Sequence, residues 1–421
     1  VTRRPSNEFE GEVLARAGEN DTRTFSAWAS GPVVEDKLLF FASAGYDQYG
    51  GEWNNRLKED AAFPSDSVFI DPPQRADNSD LGGTQTKQAE GKLLWLINDN
   101  AEIGFKAGYV NGDDDHYPQL IVDTDELNCF VPGLDVQPGD PNFTTSSGAF
   151  CGPLDADGRE NRLNIPDLTD GMTANLSQFP PPGSTAEDWI SGPEDVGLQR
   201  DQYNVLLTYD HNFNDWQLSS KYAWNKSVLE TAYDLDGTEG RPFTGLFHFY
   251  EDLERKDWSF EVRLDSPQDQ DLRGSIGFYY FDFDEDSVTH GSPGFAQGQD
   301  SAPVKSTTEN IALFGSLEID FADKWTFATE ARVARDTKET GDANFCRDPN
   351  SPFFDPDNPV NNEVETDSLT PRFTLRYRPT DEATLYLQVA KGNKPGNFNV
   401  AYYRDSIDGC ATEASFDDGF A

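Results

Sequence analysis

The chain has 421 residues, with 33 Lys and Arg against 76 Asp and Glu, for a formal charge of −43. That balance excludes nucleic acid as a partner, because phosphate binding needs a basic surface, and it excludes docking on an anionic lipid face. No run of 18 apolar residues occurs, so no transmembrane helix is possible, although a strand that spans a membrane leaves a far weaker trace. The rest of the composition is aromatic: 30 Phe, 15 Tyr and 8 Trp stand beside one Met and 35 Gly, a bias toward strands.

Val1-Thr2-Arg3-Arg4-Pro5 opens the chain with no initiator Met and no signal peptide, and it reads as part of something longer, a fragment or a processed product. From there period-2 alternation dominates. It predicts 13 strands, at 9–17, 23–33, 38–48, 87–98, 101–111, 201–210, 216–230, 255–265, 272–285, 308–321, 325–336, 368–378 and 383–391. Trp258, Phe260, Val262 and Leu264 alternate with Ser259, Glu261, Arg263 and Asp265. Ile311, Leu313, Leu317, Ile319 and Phe321 alternate with Asn310, Ser316, Glu318 and Asp320. Leu369, Phe373, Leu375 and Tyr377 do so with Thr370, Arg372, Thr374 and Arg376, and Leu385, Leu387 and Val389 with Thr384, Tyr386 and Gln388. Successive strand side chains point to opposite faces, so each segment has one greasy and one polar face. Segments 38–48 and 272–285 carry apolar residues on both faces, which leaves their facing open.

The connections carry a second signal. Short ones lie at 34–37, 99–100, 211–215, 266–271, 322–324 and 379–382; long ones lie at 49–86, 112–200, 231–254, 286–307, 337–367 and from 392 onward. They alternate strictly after a first hairpin at 18–22. Consecutive antiparallel strands put successive connections at opposite ends, so the long loops share one end and the tight turns the other. The expected fold is all-β: a transmembrane antiparallel up-and-down β-barrel with short periplasmic turns and long extracellular loops. A β-propeller would need a repeated blade signature at a period near 40, which the sequence lacks, and 13 consecutive hairpin strands exceed a sandwich. A lipid-facing charge near the midplane costs about 2–4 kcal/mol, so the face with Glu261, Arg263, Glu330, Arg332, Arg372 and Arg376 looks into the lumen. Trp216, Trp258, Trp325, Tyr209 and Tyr377 sit near strand ends, as interfacial aromatics do.

Several stretches resemble the TonB-dependent outer-membrane receptors of the siderophore-receptor type. Val1-Thr2-Arg3-Arg4-Pro5 is similar to the segment that ends their plug and leads into the barrel. Segment 24–53, with Ser30-Gly31-Pro32-Val33, Asp36-Lys37 and Gly45-Tyr46, resembles their first hairpins. Leu369-Thr370-Pro371-Arg372-Phe373, Tyr377-Arg378-Pro379-Thr380, Leu385-Tyr386 and the run from Ala390 through Lys391, Gly392, Lys394, Pro395, Gly396, Phe398 and Asn399 are similar to their late-barrel signature. The resemblance implies 22 strands around a plug, of which about 13 are visible here. Residues 1–8 are then the end of the plug-to-barrel connection, and 9–421 a partial barrel whose N-terminal plug and C-terminal strands lie outside this sequence. It implies an outer-membrane active transporter in a Gram-negative bacterium. A TonB–ExbB–ExbD complex would energise it through the plug, and lipid and lipopolysaccharide would surround it. Its default substrate is an iron–siderophore complex, a small metal chelate; cobalamin, haem or oligosaccharide uptake, or a passive porin, are the alternatives. No cofactor is expected.

Candidate sites lie in the loops. Trp53, Tyr117, Trp189 and Phe247 are outer aromatics able to stack on a flat or hydrophobic ligand, and His116 and His290 lie where a metal complex could touch them. Segment 112–200 holds 17 Asp and Glu against three Arg and no Lys, a field that concentrates cations or serves only solubility. Asp113, Asp114 and Asp115 are oxygen ligands of the kind calcium takes, without EF-hand spacing. Asp282, Asp284 and Asp286 share one face and read as lumen or rim charges. The four Cys form no C-x-x-C and stand apart from the four His, which argues against zinc and for disulfides in an oxidising compartment. Cys129 and Cys151 share a loop, and Cys346 and Cys410 lie in successive outer loops, so those pairings are expected. No Ser-His-Asp order, P-loop or metalloprotease signature occurs, so the chain is not expected to be an enzyme.

Overall fold

The computed structural model describes residues 3–54, 80–119, 126, 128–130, 148–153, 197–234, 248–291, 304–342 and 360–396. Their regular elements are strands: β1 (Glu10–Ala17), β2 (Arg23–Val34), β3 (Leu38–Tyr49), β4 (Trp53–Asn54), β5 (Asp80–Leu81), β6 (Thr84–Asn98), β7 (Ala101–Asp114), β8 (Cys129–Phe130), β9 (Gly148–Ala149), β10 (Gly197–Phe213), β11 (Trp216–Asp234), β12 (His248–Asp265), β13 (Leu272–Gly291), β14 (Val304–Phe321), β15 (Trp325–Asp342), β16 (Val360–Thr380) and β17 (Ala383–Ala390). Thirteen of them form one antiparallel sheet in the order β1-β2-β3-β6-β7-β10-β11-β12-β13-β14-β15-β16-β17, each hydrogen-bonded to its neighbour in sequence. β4 with β5, and β8 with β9, are two-stranded ribbons in the outer connections. The large sheet does not close on itself: β1 and β17 are its edges.

All 13 predicted strands are present, and their ends at the tight turns fall within three residues of the sequence reading. Their ends at the long loops run further. β16 starts at Val360 rather than 368, β12 at His248 rather than 255, and β15 runs to Asp342 rather than 336. Beyond the membrane both faces of a strand meet water, so the polar–apolar alternation that marks a strand disappears while the backbone ladder continues. The tight ends are set by turn chemistry. Asn214 and Asp215 adopt φ of 47° and 65° in a two-residue hairpin, a primed turn that matches strand twist. Ala322 takes φ 48° in the turn after β14, a left-handed conformation unfavourable for a side chain with a Cβ.

Register settles the two faces. Phe321, Ile319, Leu317, Gly315, Leu313 and Ile311 lie opposite Trp325, Phe327, Thr329, Ala331, Val333 and Arg335, and β16 continues those rows with Tyr377, Leu375, Phe373, Pro371, Leu369 and Asp367. The outward face is thus uncharged from the Phe321 row up to the Ile311 row, where Arg335 and Asp367 begin the polar rim. Ten residues span about 33 Å along a strand, and a tilt near 40° makes that about 25 Å of height, the thickness of an apolar belt in the outer membrane. Aromatic rows bound the belt. Trp325 stacks on Tyr377 at 4.3 Å at the turn end, while Tyr109 meets Tyr203 at 4.9 Å and Trp258 meets Tyr280 at 4.8 Å at the loop end.

Both segments of open facing are now assigned. In β3, Leu38, Phe40, Ala42, Ala44 and Tyr46 point outward, and Leu39 and Phe41 point inward, where they are buried. In β13, Leu272, Ile276, Phe278 and Tyr280 point outward, leaving Tyr279, Phe281 and Phe283 on the lumen side. Asp282, Asp284 and Asp286 follow Tyr280 up the outward face, so they are rim charges above the belt.

Candidate functional site

The inner wall is a polar surface built by cross-strand pairs. Near the turns, the Arg273 guanidinium donates to Asp320 at 2.6 Å and also to Glu318, which accepts from Arg376 at 2.9 Å. Arg372 pairs with Glu330 across β15 and β16. Higher up, Arg332 donates to Asn310 Oδ1 at 2.7 Å, Asn310 to Asp336 at 2.7 Å, and Asn225 to Asp257 at 2.8 Å. Such pairs let charge face a wet interior without isolating any one charge in the wall.

Residues 3–8 cross the inner face of the first five strands of the sheet near its turn end. The Arg3 guanidinium sits 3.7 Å from the centre of the Trp28 ring, and Lys92 Nζ donates to the Arg3 carbonyl at 2.9 Å. Arg4 forks onto Glu102 with contacts of 2.9 and 2.5 Å. The Ser6 N–H donates to Ser30 Oγ, whose hydroxyl in turn donates to the Phe40 carbonyl, both at 2.9 Å, and Ser30 is fully buried. Asn7 Nδ2 donates to Asp36 at 2.5 Å. Trp28 and Lys92, the two side chains this strap engages through Arg3, both lie against Phe41, so the lumen-facing apolar residues of β3 sit beside the strap and are buried.

At the loop end the bases of three outer connections meet in a hub. Leu81 of β5 pairs with Trp53 of β4 and is completely buried. The Gly82 N–H donates to the His116 carbonyl at 2.8 Å, and the Asp115 N–H to Gly83 at 3.0 Å. The His116 ring lies 4.8 Å from Tyr117 and edge-on to Tyr233 at 5.7 Å, and Tyr117 and Tyr233 are 5.1 Å apart. Gly197 takes φ 121° beneath this cluster, where a Cβ would run into the Asp114 backbone. Burial pushes the Asp114 carboxyl and the Tyr233 hydroxyl above their ordinary ranges.

Of the residues expected from sequence, Trp53, Asp115, His116 and Tyr117 come together in this hub. His116 is only 2% exposed, and its Nδ1 lies 2.7 Å from the Tyr117 carbonyl, so it carries the Nδ1 proton and packs the hub. Tyr117 is 43% exposed and accepts from Gln119 Nε2 at 3.0 Å. Asp113 and Asp114 point to opposite faces of β7, so the three consecutive carboxylates do not converge. Among the described residues no group of three His, Cys, Asp or Glu is placed to hold an ion. Cys129 and Cys151 are joined by a disulfide with Cα atoms 5.9 Å apart, beside reciprocal Asn128–Cys151 hydrogen bonds of 2.9 and 2.6 Å. His290 lies in β13 opposite Tyr250. Trp189, Phe247, Cys346 and Cys410 lie outside the described residues.

The sequence reading missed Tyr233, Leu81, the strap contacts, and the inward ladder of Tyr279, Phe281 and Phe283. The ladder had a signal, the apolar residues on both faces of 272–285. In it Phe281 and Phe283 lie 6.4 Å apart with planes at 13°, and Arg332 stands 5.1 Å over Tyr279.

A family model described as TonB dependent receptor-like, beta-barrel, matches residues 152–418. Among solved structures, the chain is similar to the ferric yersiniabactin uptake receptor FyuA from Yersinia pestis, with 15% identity and a TM-score of 0.61 over 92% of this chain and 47% of that one. It is similar to the siderophore receptor PiuA from Acinetobacter baumannii, with 10% identity and a TM-score of 0.57 over 92% and 49%. It is also similar to the ferripyoverdine receptor of the outer membrane of Pseudomonas aeruginosa, with 12% identity and a TM-score of 0.57 over 92% and 42%. The chain spans about half the length of these structures. At such identities the likeness is one of fold.

Proposed function

This chain belongs to the TonB-dependent receptor-like β-barrel family, and on that footing we propose that it is part of an active transporter that takes up an iron–siderophore complex, energised through TonB. The family and the outward belt put it in the outer membrane of a Gram-negative bacterium. The observation that carries the transport reading is the contrast of faces. A greasy belt bounded by aromatic rows surrounds an inner wall of paired charges, so the interior is a wet path through the membrane.

The barrel residues supply the wall, the lumen and the outer half of the substrate site. A plug of the kind the family resemblance implies occupies the lumen and takes the pull of a TonB–ExbB–ExbD complex, and residues 1–8 end its connection to the barrel. Lipid and lipopolysaccharide contact the belt and rim. The strap supports this reading, because it fixes the incoming chain on the inside of the wall.

The test is uptake of radiolabelled ferric siderophores by iron-starved cells carrying the full-length gene, with and without a working TonB. Import that stops without TonB is the expected result. Import that continues unchanged would make the protein a passive porin.

A further inference from the structure

We propose that residues 3–8 are a load-bearing joint, which passes a pull on the chain ahead of them into β2, β3, β6 and β7 and spares β1. This deepens the uptake reading above and rests on it, because the pull is the one that reading assigns to a TonB–ExbB–ExbD complex.

The joint is built from contacts that reach away from its own strand. Among the described residues, the bonds that the strap makes outside itself land on β2, on the turn between β2 and β3, on β6 and on β7, and none lands on β1. Arg4 forks onto Glu102 of β7, and Arg3 meets Trp28 of β2 and Lys92 of β6. Ser6 hangs from Ser30 of β2, which is tied to β3 through the Phe40 carbonyl. Asn7 makes a reciprocal pair with Asp36: its Nδ2 donates at 2.5 Å, and its Oδ1 accepts from the Asp36 N–H at 3.2 Å. The anchors are braced in turn. Lys92 pairs with Glu90 at 2.8 Å, and Glu90 pairs with Lys106 of β7 at 2.7 Å. Phe9, the next residue, turns to the outward face and lays its ring where a Cβ on Gly31 would stand.

The strand that is spared is the weakest in this part of the sheet. β1 has 8 residues and, among the described residues, pairs with β2 alone. The anchored strands have 12, 12, 15 and 14 residues, and each lies between two neighbours. Ladder hydrogen bonds lie perpendicular to the strands. A pull that lifts the end of β1 off the sheet would open its ladder from Glu10 one pair at a time, each pair bearing the load alone. The strap changes that loading. It lies across the strands, so tension on residue 3 must break bonds on four longer strands, several of them charge-assisted, before it reaches Glu10.

The full-length receptor is compared in iron-starved cells with and without a working TonB, and its folded form is followed by heat-modifiable migration after synthesis is stopped. Arg4→Ala with Asn7→Ala weakens the strap without touching β1. Its folded form is expected to vanish about tenfold faster when TonB works than when it does not. Wild type and Asn225→Ala, which loses a bond to Asp257 elsewhere on the inner wall, are expected to last equally in both. The proposal is overturned if the strap variant lasts the same time with and without TonB, as a merely structural contact would make it, or if Asn225→Ala shows the same dependence on TonB. Where the double variant fails to fold, Arg4→Lys, which keeps the charge and loses the fork, takes its place. Uptake by the wild type is measured in the same cells. If it does not need TonB, the uptake reading fails and the strap is judged alone, by pulling the purified receptor from its N-terminus in a bilayer. Extension past residue 9 at a lower force in the strap variant supports the joint, and extension at the same force as wild type overturns it.

Discussion

Replacing Leu317 with Arg tests the assignment of faces at the place where it matters most. Leu317 points outward, is 42% exposed, and lies opposite Gly274 and Thr329. Four residues separate it from the Phe321 row and six from the Ile311 row, so it sits near the middle of the belt. An Arg there cannot reach either interface without distortion, and the loss should be about 2–4 kcal/mol. Leu375 faces the same way, and alternation alone would rank it equal. The structure puts it two residues from Tyr377, in the row beside the lower aromatic pair. Leu375→Arg should therefore cost only about 1 kcal/mol, because its guanidinium can reach the interface. Ser316→Arg and Thr374→Arg face the lumen, opposite Glu330 and Gln388, and should be close to neutral. Reversible urea unfolding of the full-length protein in lipid vesicles measures all four. Equal losses at Leu317 and Ser316 would refute the facing, and equal losses at Leu317 and Leu375 would refute the depth.

Other outcomes follow from single contacts. Ser30→Ala removes the acceptor of the Ser6 N–H and should cost about 1–3 kcal/mol, seen as faster amide exchange at Ser6 with the rest of the sheet unchanged. Asp114 lies above the belt with its folded pKa raised by burial, so its charged form opposes folding at neutral pH, and that penalty disappears once the pH falls below the unfolded value of about 3.9. Asp114→Asn should accordingly stabilise the hub at pH 7 and have no effect near pH 3, as read by protease resistance of the outer connections. Cys151→Ser opens a loop of 22 residues and should destabilise it by about 3 kcal/mol, detected as earlier cleavage by protease within 129–151. Ala322→Gly relieves a left-handed φ of 48° and should raise stability by about 1 kcal/mol in the same urea assay.

The sheet was legible because lipid imposes one rule on every strand. Leu313, Leu317 and Ile319 must all face one way and Ser316, Glu318 and Asp320 the other, and a period of two over ten residues is hard to mistake. The rule stops where the membrane stops. Val360 to Asp367 carry a ladder to β15 as regular as any in the belt, but there Glu363, Glu365 and Asp367 take the outward positions, so the greasy outward face that marks the belt strands is lost. The hub was legible only as a set of residue types. Trp53, His116 and Tyr117 could be named from the sequence. Their meeting with Leu81 and Tyr233 depends on how three long connections leave the barrel, which no local pattern records. That is also why His116, exposed by expectation, is a packing residue.

The two places where alternation left facing open differ in what resolves them, and the difference bears on function. In β3 the inward apolar pair Leu39 and Phe41 is buried, and the two side chains against Phe41, Trp28 and Lys92, are both engaged by Arg3. Trp28 stacks on Phe41 at 6.1 Å, and Lys92 lies 4.7 Å above the ring. In β13 the inward aromatics Phe281 and Phe283 meet each other and the lumen. Apolar surface on a wet wall is unfavourable unless something covers it part of the time. The first exception to the pattern is thus a structural joint beside the chain's own strap. The second is a pair of stacked rings on the inner wall at the outer interface, held among the described residues by each other.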